Sequence, residues 1–193
     1  TTTGNVGIDL GSTGTASVGI NVTNNMIRTS GTSTNYGLTI QLNSNNNRIE
    51  NNTIMTSGSA ATNHGVFLFQ GAAGTMAGNL VTGNTIMTNG TSGSNGIRLI
   101  GVVGSQIVTN TTIANNTIVT RGNSTGLGNI GIMLAINVIN TVVSGNVINT
   151  SGTDFNVGIQ LFTAAKSSNI VNNVIRTSGN GTGNVGINVS GLL

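Results

Sequence analysis

The chain has 193 residues, of which only 5% are charged, and its formal net charge is +3. This length suits a single domain, and the scattered charges argue against a nucleic-acid-binding surface and against a charged disordered tail. It lacks any run of about 18 apolar residues, so the sequence predicts no membrane-spanning helix. It also lacks cysteine, which excludes disulfides and thiolate metal sites.

The first recurring element along the chain is a segment of the type Gly-Ile-x-Leu. Its seven copies read GIDL, GLTI, GVFL, GIRL, GIML, GIQL and GINV, and they begin at Gly7, Gly37, Gly65, Gly96, Gly131, Gly158 and Gly186. Each copy is short, alternates in polarity and is rich in aliphatic residues, a pattern that predicts a β-strand with its Ile and Leu facing inward.

A second and a third element follow within each repeat. The second is a single apolar position, at Val22, Ile49, Val81, Ile113, Val143 and Ile170. The third is a heptapeptide, written NTIMTSG at Asn52–Gly58, whose central residues are Ile27, Ile54, Ile86, Ile118, Ile148 and Ile175. An Asn stands two residues before each of these Ile, a Thr two after and a Gly four after, and copies recur every 27 to 32 residues.

A period in this range is typical of stacked repeat proteins. We therefore predict an all-β solenoid of about seven coils, each with three short strands and together about 30 Å tall. Residues 1–193 are expected to form one domain, either complete or a segment of a longer solenoid. Ile54, Ile86 and Ile118 are expected on neighbouring rungs of one hydrophobic column. The Asn side chains are expected to bond to each other at the corners, and Gly to supply the positive φ that corners need.

The combined consensus is clearest in GIQLFTAAKSSNIVNNVIRTSG, from Gly158 to Gly179. It resembles the right-handed parallel β-helix repeats of the pectin-lyase-like superfamily, such as NosD-type repeats and those of bacterial surface proteins. The resemblance covers nearly the whole chain and implies a right-handed parallel β-helix. It implies less about function, because that fold serves lyases, hydrolases, adhesins and inert shafts alike.

In enzymes of that superfamily, activity generally lies on the outward face of the first strand, where acidic and basic residues are grouped. The three acids of this chain, Asp9, Glu50 and Asp154, belong to different coils. Glycoside hydrolysis needs two carboxyl groups within about 10 Å, and calcium needs several converging oxygens. We therefore expect no catalytic, metal or cofactor site, with a carbohydrate-active enzyme as the alternative.

Other apparent motifs have simpler explanations. Two GxGxxG matches, at 126–131 and Gly181–Gly186, end in a strand rather than opening a helix, so they are interpreted as loop glycines. His64 is the chain's only histidine, and it is expected to be an exposed corner residue.

An apolar patch is predicted on the outward face of the first strands. It consists of Phe67, Phe69, Arg98, Ile100, Met133, Gln160 and Phe162. Extra residues after the first strand in the third and fourth coils could cover it as local core. Alternatively, it is a contact surface for a neighbouring chain or a surface carbohydrate.

A second, flat array is predicted on the outward face of the third strands. It consists of Thr53, Met55, Thr85, Met87, Thr117 and Val119. Regular Thr arrays suggest ice binding, which is a third functional hypothesis, although Arg28, Asn149 and Arg176 interrupt the column.

The two ends of the chain favour a structural role. The chain begins with TTTGNVGIDLGS and closes with the equivalent GNVGINVSG, and neither end contains Pro or an amphipathic helix that would block a strand edge. We therefore expect a non-catalytic solenoid, extracellular or at the cell surface, that serves as a shaft, adhesin or fibre subunit. Its expected partner is another copy of itself, end to end or laterally, or a surface carbohydrate.

Overall fold

A computed structural model describes residues 4–12, 14–60, 62–91, 93–102, 104–122 and 128–191. These residues form 22 β-strands joined by turns, in a parallel β-solenoid of about six turns. No helix occurs among them, and so none that could cross a membrane. The predicted all-β solenoid is confirmed, with slightly fewer turns than the seven expected.

Three parallel sheets form the walls, and each of the first six coils contributes one strand to each wall, while β22 adds a seventh strand to the first sheet. The first sheet contains β1 Val6–Leu10, β4 Tyr36–Gln41, β7 His64–Gln70, β11 Asn95–Gly101, β15 Ile130–Leu134, β19 Val157–Phe162 and β22 Val185–Ser190. The second contains β2 Asn21–Thr23, β5 Arg48–Glu50, β9 Leu80–Thr82, β13 Thr112–Ala114, β17 Val142–Ser144 and β20 Asn169–Val171. The third contains β3 Met26–Gly31, β6 Thr53–Gly58, β10 Thr85–Asn89, β14 Thr117–Gly122, β18 Val147–Gly152 and β21 Val174–Gly179.

A fourth, smaller sheet widens the middle of the solenoid, which the repeat pattern did not predict. It contains β8 Gly74–Ala77, β12 Gln106–Thr109 and β16 Val138–Ile139. Met76, Val108 and Val138 from these strands are fully buried and belong to the hydrophobic core. The extra residues after the first strand therefore extend the interior wall.

The register of the third sheet places equivalent residues on adjacent rungs. Ile86 pairs with Ile54 on one side and with Ile118 on the other, and all three are 0% exposed. The predicted hydrophobic column is thus confirmed. Burial of an aliphatic side chain contributes about 1.5–3 kcal/mol, so repetition of this column in each coil stabilises the whole stack.

An asparagine ladder runs along the corner between the second and third sheets. Its members are Asn25, Asn52, Asn84, Asn116, Asn146 and Asn173. Each side-chain Nδ2 of the first five donates to Oδ1 of the next Asn at 2.9–3.1 Å, and the backbone N–H donates to the same oxygen. From Asn52 onward, Nδ2 also donates to a backbone carbonyl of the preceding coil. Buried polar groups need such partners, so the ladder makes a polar corner compatible with a packed core.

The corner residue just before this ladder adopts a left-handed conformation. It is Asn in four coils and Gly in two, namely Asn24, Asn51, Gly83, Asn115, Gly145 and Asn172. Asn tolerates this conformation better than most residues because its side chain bonds locally. Gly therefore supplies the positive φ at two of these corners, as expected, and Asn supplies it at the other four.

The glycine of the Gly-Ile-x-Leu motif is required by close approach instead. A Cβ at Gly96 would overlap Cγ2 of Ile118 and lie 2.7 Å from the carbonyl oxygen of Gly131. The other copies with a strand on the following rung meet equivalent neighbours, so this column admits no side chain.

Candidate functional site

The predicted contact surface forms two adjacent columns on the outward face of the first sheet. Phe67, Arg98, Met133 and Gln160 pair in register across four consecutive rungs. In the neighbouring column Phe69 pairs with Ile100, while Phe162 lies farther along and is 39% exposed. The other six side chains are half-buried, so the extra residues of the fourth sheet do not cover this face.

An aromatic cluster continues this surface toward the N-terminal coils. The Tyr36 and His64 rings stack with centroids 5.3 Å apart, and Phe67 contacts both of them at 5.1 and 5.3 Å. Phe69 stacks on Phe67 at 5.6 Å. Such pairs contribute about 0.5–1.5 kcal/mol each beyond the burial of their surface.

His64 lies inside this cluster and is 1% exposed, so the expectation of an exposed corner residue is wrong. Burial, together with the smaller effect of the nearby Arg98 charge, lowers its pKa from 6.5 to about 3. The ring is therefore neutral at ordinary pH and has a single lone pair to offer.

Two donors compete for that lone pair. The backbone N–H of Asn95 approaches His64 Nδ1 at 3.3 Å, and Nη1 of Arg98 lies 3.3 Å from Nε2. A neutral imidazole accepts at one nitrogen and carries a hydrogen on the other, so no single tautomer satisfies both contacts. One of the two donors therefore faces an N–H.

Arg98 is half-buried, and no carboxylate of the described residues pairs with it. Its guanidinium lies 5.6 Å from the Phe67 ring centroid in a cation–π contact, and its Nε is buried with no hydrogen-bond partner in the described part of the chain. Burial lowers the pKa of Arg98, and Tyr36 opposes that change. A charged side chain in this setting favours an anion.

The three carboxylates of the chain have partners elsewhere. Asp9 accepts hydrogen bonds from Thr39 and Gln41, and Glu50 forms a 2.7 Å ion pair with Arg48. Asp154 accepts from the backbone N–H of Thr182. They lie in different coils, and the described residues contain no group of three or more His, Asp or Glu that could hold a metal ion.

A cleft of about 500 Å³ opens beside Arg98 on the outward face. Its floor follows the rungs from Arg98 through Met133 and Gln160 to Asn188, and Phe155 and Phe162 also line it. Three rungs of a parallel sheet span about 14 Å.

Some buried polar atoms next to this cleft have no hydrogen-bond partner in the described part of the chain. A second asparagine series at the corner before the first sheet runs through Asn35 and Asn63, then breaks at Ser94. The buried hydroxyl of Ser94 and Oδ1 of Asn95 have no partner within the described ranges. Asn95 is 2% exposed and lines the cleft.

The flat array on the third sheet has the predicted register. Thr53, Thr85 and Thr117 pair in one column, and Met55, Met87 and Val119 in the next. A shallow depression of about 460 Å³ lies over the Met column, with Arg28 and Arg121 among the residues that line it.

The glycine motifs lie in loops and strands. Gly183, within Gly181–Gly186, has a φ of +76° in the loop before β22, and Gly186 lies in that strand. The other motif begins at position 126, which lies outside the described residues.

Sequence reasoning missed Tyr36, His64 and Asn95 as neighbours of the contact surface. All three occupy the position just before the motif glycine, and Tyr36 pairs directly with His64. Two successive rungs with an aromatic ring at one repeat position were a readable signal of a stacked pair.

Comparison with known proteins found no match among protein-family models, curated proteins or solved structures. The geometry shows a parallel β-solenoid, and the superfamily assignment remains a proposal.

Proposed function

We propose that this chain is a non-catalytic structural β-solenoid that associates end to end, as a fibre or shaft subunit outside the cell. The observation that carries the proposal is the distribution of exposed apolar side chains. Of the twelve large exposed hydrophobic residues in the described ranges, nine lie on the first or last rung of a sheet or in the first coil.

The last rung exposes apolar side chains whose equivalents are buried in the middle coils. Ile187 and Val189 are 48% and 52% exposed, although their equivalents Ile159 and Leu161 on the preceding rung are buried. At the other end, Val18 and Met26 are 60% and 68% exposed. A further coil on either end would remove this apolar area from water, which is a favourable change.

The asparagine ladder gives this association a direction. Each of the first five Asn donates from its own coil to Oδ1 in the following coil. Asn25 therefore offers an acceptor at the first coil, and the backbone N–H of Asn173 is a donor at the last coil. The last coil of one molecule is complementary to the first coil of another.

Contacts between two different surfaces of identical molecules do not close on themselves unless a rotation closes the ring. Head-to-tail stacking of this kind generates open filaments. We infer that the solenoid winds right-handed, as nearly all crossovers between parallel strands do, and that its kinship lies with pectin-lyase-like β-helices. A solution-scattering envelope would not settle handedness, whereas a crystal structure would.

The purified chain should form linear assemblies whose average mass rises with concentration in sedimentation equilibrium. Val189→Lys places a charge on the last rung and should return the chain to monomer. Met87→Lys is the matched control, because it places the same charge on an exposed side position of a middle coil. A wild-type chain that remains monomeric at high concentration would contradict end-to-end association.

A further inference from the structure

The cleft beside Arg98 has features of a ligand site that a structural role does not require. It lies on a long side of the solenoid, away from the axis along which coils stack. A ligand bound there would give the protein a second function besides end-to-end association, and ligand binding and association can be measured separately.

The first feature is an unpaired cation at one end of the cleft. Among the described residues, Arg98 contacts His64 and Phe67 and has no carboxylate partner, because each acid of the chain bonds elsewhere. The lone pair of His64 is also claimed by the Asn95 N–H. An anionic oxygen at Arg98 would relieve this competition, because His64 could then accept from Asn95 alone.

The second feature is a buried amide without a complete set of partners. Asn95 is 2% exposed and lines the cleft, and its Nδ2 donates only a weak bond to Met133 Sδ at 3.7 Å. Its Oδ1 is unpartnered within the described residues. Buried polar groups in native structures normally have partners, so an unpaired one at a cleft indicates a bound molecule or ordered water.

The third feature is the apolar body of the cleft. Beyond Arg98 the lining continues with Met133, Phe155 and Phe162, and the amides of Gln160 and Asn188 are the polar groups on the floor. Phe155 is 45% exposed and Phe162 39%, so both rings present apolar surface to the cleft. Largely apolar clefts of 300–1,000 Å³ with a few placed polar groups are typical of small-molecule sites.

We propose that this cleft binds a small organic carboxylate with an apolar body, its carboxylate at Arg98 and its apolar part along Met133 toward Phe155 and Phe162. The two rungs from Arg98 to Gln160 span about 10 Å, which matches a molecule the size of an aryl-alkanoic acid. A neutral molecule of the same shape leaves the cation unpaired and binds more weakly.

The test uses hydrocinnamate as the probe, titrated into the whole chain by calorimetry, with hydrocinnamyl alcohol as its neutral counterpart and acetate as the anion without an apolar body. We expect saturable binding of hydrocinnamate, at least tenfold weaker binding of the alcohol, and no measurable binding of acetate. Equal affinity for acid and alcohol would overturn the assignment of Arg98, and equal affinity for acetate would overturn that of the apolar body. No saturable binding of hydrocinnamate would overturn the proposal.

Two variants locate the site. Arg98→Gln should weaken hydrocinnamate binding at least tenfold, whereas Arg176→Gln, which makes the same charge change on an exposed position of the third sheet, should leave it unchanged. Gln160→Glu keeps Arg98 and the shape of the floor but adds a negative charge, and it should weaken binding at least fivefold. Circular dichroism checks that each variant is folded, and retained affinity in a folded Gln160→Glu variant would contradict the proposed site.

Discussion

Two parts of this solenoid differ in how fully their buried polar side chains are hydrogen-bonded. The corner between the second and third sheets repeats one uncharged residue in six coils, and from Asn52 to Asn146 each Asn bonds to its neighbours on both sides. The outward face of the first sheet buries His64 and partly buries Arg98, and no other coil has the same residue at either repeat position. Two donors, the Asn95 N–H and the Arg98 guanidinium, face the single lone pair of the His64 ring. The ladder therefore stabilises the stack of coils, whereas the outward face contains polar groups that stacking does not satisfy.

In a repeat protein, specificity arises at positions that do not repeat. A residue that recurs at every rung finds its partners in the neighbouring coils, so the fold itself satisfies its hydrogen-bonding groups. A residue that occurs at one rung has no equivalent neighbour, and its leftover charge or hydrogen-bonding capacity is free for a partner. Arg98, Asn95 and Phe155 are of this second kind.

The largest effect is expected from breaking the ladder at its centre. Asn116→Ala removes the acceptor for the N–H and Nδ2 of Asn84 and leaves the Val81 carbonyl and Asn146 Oδ1 each short of a donor. Buried groups without partners cost about 1–3 kcal/mol each, partly relieved by water, so the free energy of unfolding should fall by about 3–5 kcal/mol. Urea unfolding measures it.

Asn149→Ala is the control for that loss. Asn149 lies in the third sheet, on the outward side of the rung that pairs with Val119 and Arg176, and it is half-exposed. Its replacement should change stability by less than about 0.5 kcal/mol. Similar losses at both positions would mean that the ladder carries no special share of the stability.

The second prediction concerns pH and the buried histidine. The unfolded His64 ring gains a proton near its ordinary pKa of 6.5, while the folded ring stays neutral down to about 3. The unfolded state thus binds more protons in this window, and stability is lost as pH falls through it. Between pH 6.5 and 4.5 this group alone should cost about 2–3 kcal/mol.

His64→Gln isolates this contribution, because its carbonyl oxygen does not titrate and has two lone pairs for the Asn95 and Arg98 donors. Urea unfolding of both proteins across this range should show a steeper loss in the wild type. Arg98 and Tyr36, the other titratable groups that shift with His64, keep their charge states between pH 4.5 and 6.5. Parallel curves for the two proteins would show that His64 is not buried as described.

The third prediction compares one motif position in a middle and a last rung. Gly96→Ala places a methyl group against Ile118 and the Gly131 carbonyl, and overpacking of this kind costs about 1–3 kcal/mol. Gly186 occupies the same position in β22, where a Cβ would meet only Cγ2 of Ile175 at 4.0 Å. Gly186→Ala should therefore be nearly neutral in thermal or urea unfolding. An equal loss at both positions would contradict the close approach of neighbouring coils.

The repeated features were predictable from the sequence because stacking places residues with the same repeat position on adjacent rungs. The Ile column, the Asn ladder and the register of Thr53, Thr85 and Thr117 all follow from a common period. The close approach at the motif glycines was not predicted, because the packing of Ile118 across the coil is visible only in three dimensions. The fourth sheet was also missed, since its three strands share no motif.

The candidate site was predictable only in part. The alternation of the strands placed Phe67, Arg98, Met133 and Gln160 on one face, as the register confirms. The burial of His64 depends on the rings of Tyr36 and Phe67, which the sequence separates from it by unequal distances. The cleft depends on Phe155, which a loop brings beside the sheet.

The stacked solenoid requires a one-coil offset between equivalent residues, and a disulfide can test it because the chain has no native cysteine. Met55 and Met87 are outward-facing partners on adjacent rungs, whereas Met55 and Val119 are two rungs apart. Adjacent parallel strands lie about 4.8 Å apart, within reach of a disulfide, and a two-rung separation of about 10 Å is not. The Met55→Cys, Met87→Cys double variant should therefore form an intramolecular disulfide on mild oxidation, and the Met55→Cys, Val119→Cys variant should not. Efficient crosslinking of the second pair, or none of the first, would contradict the stacked solenoid.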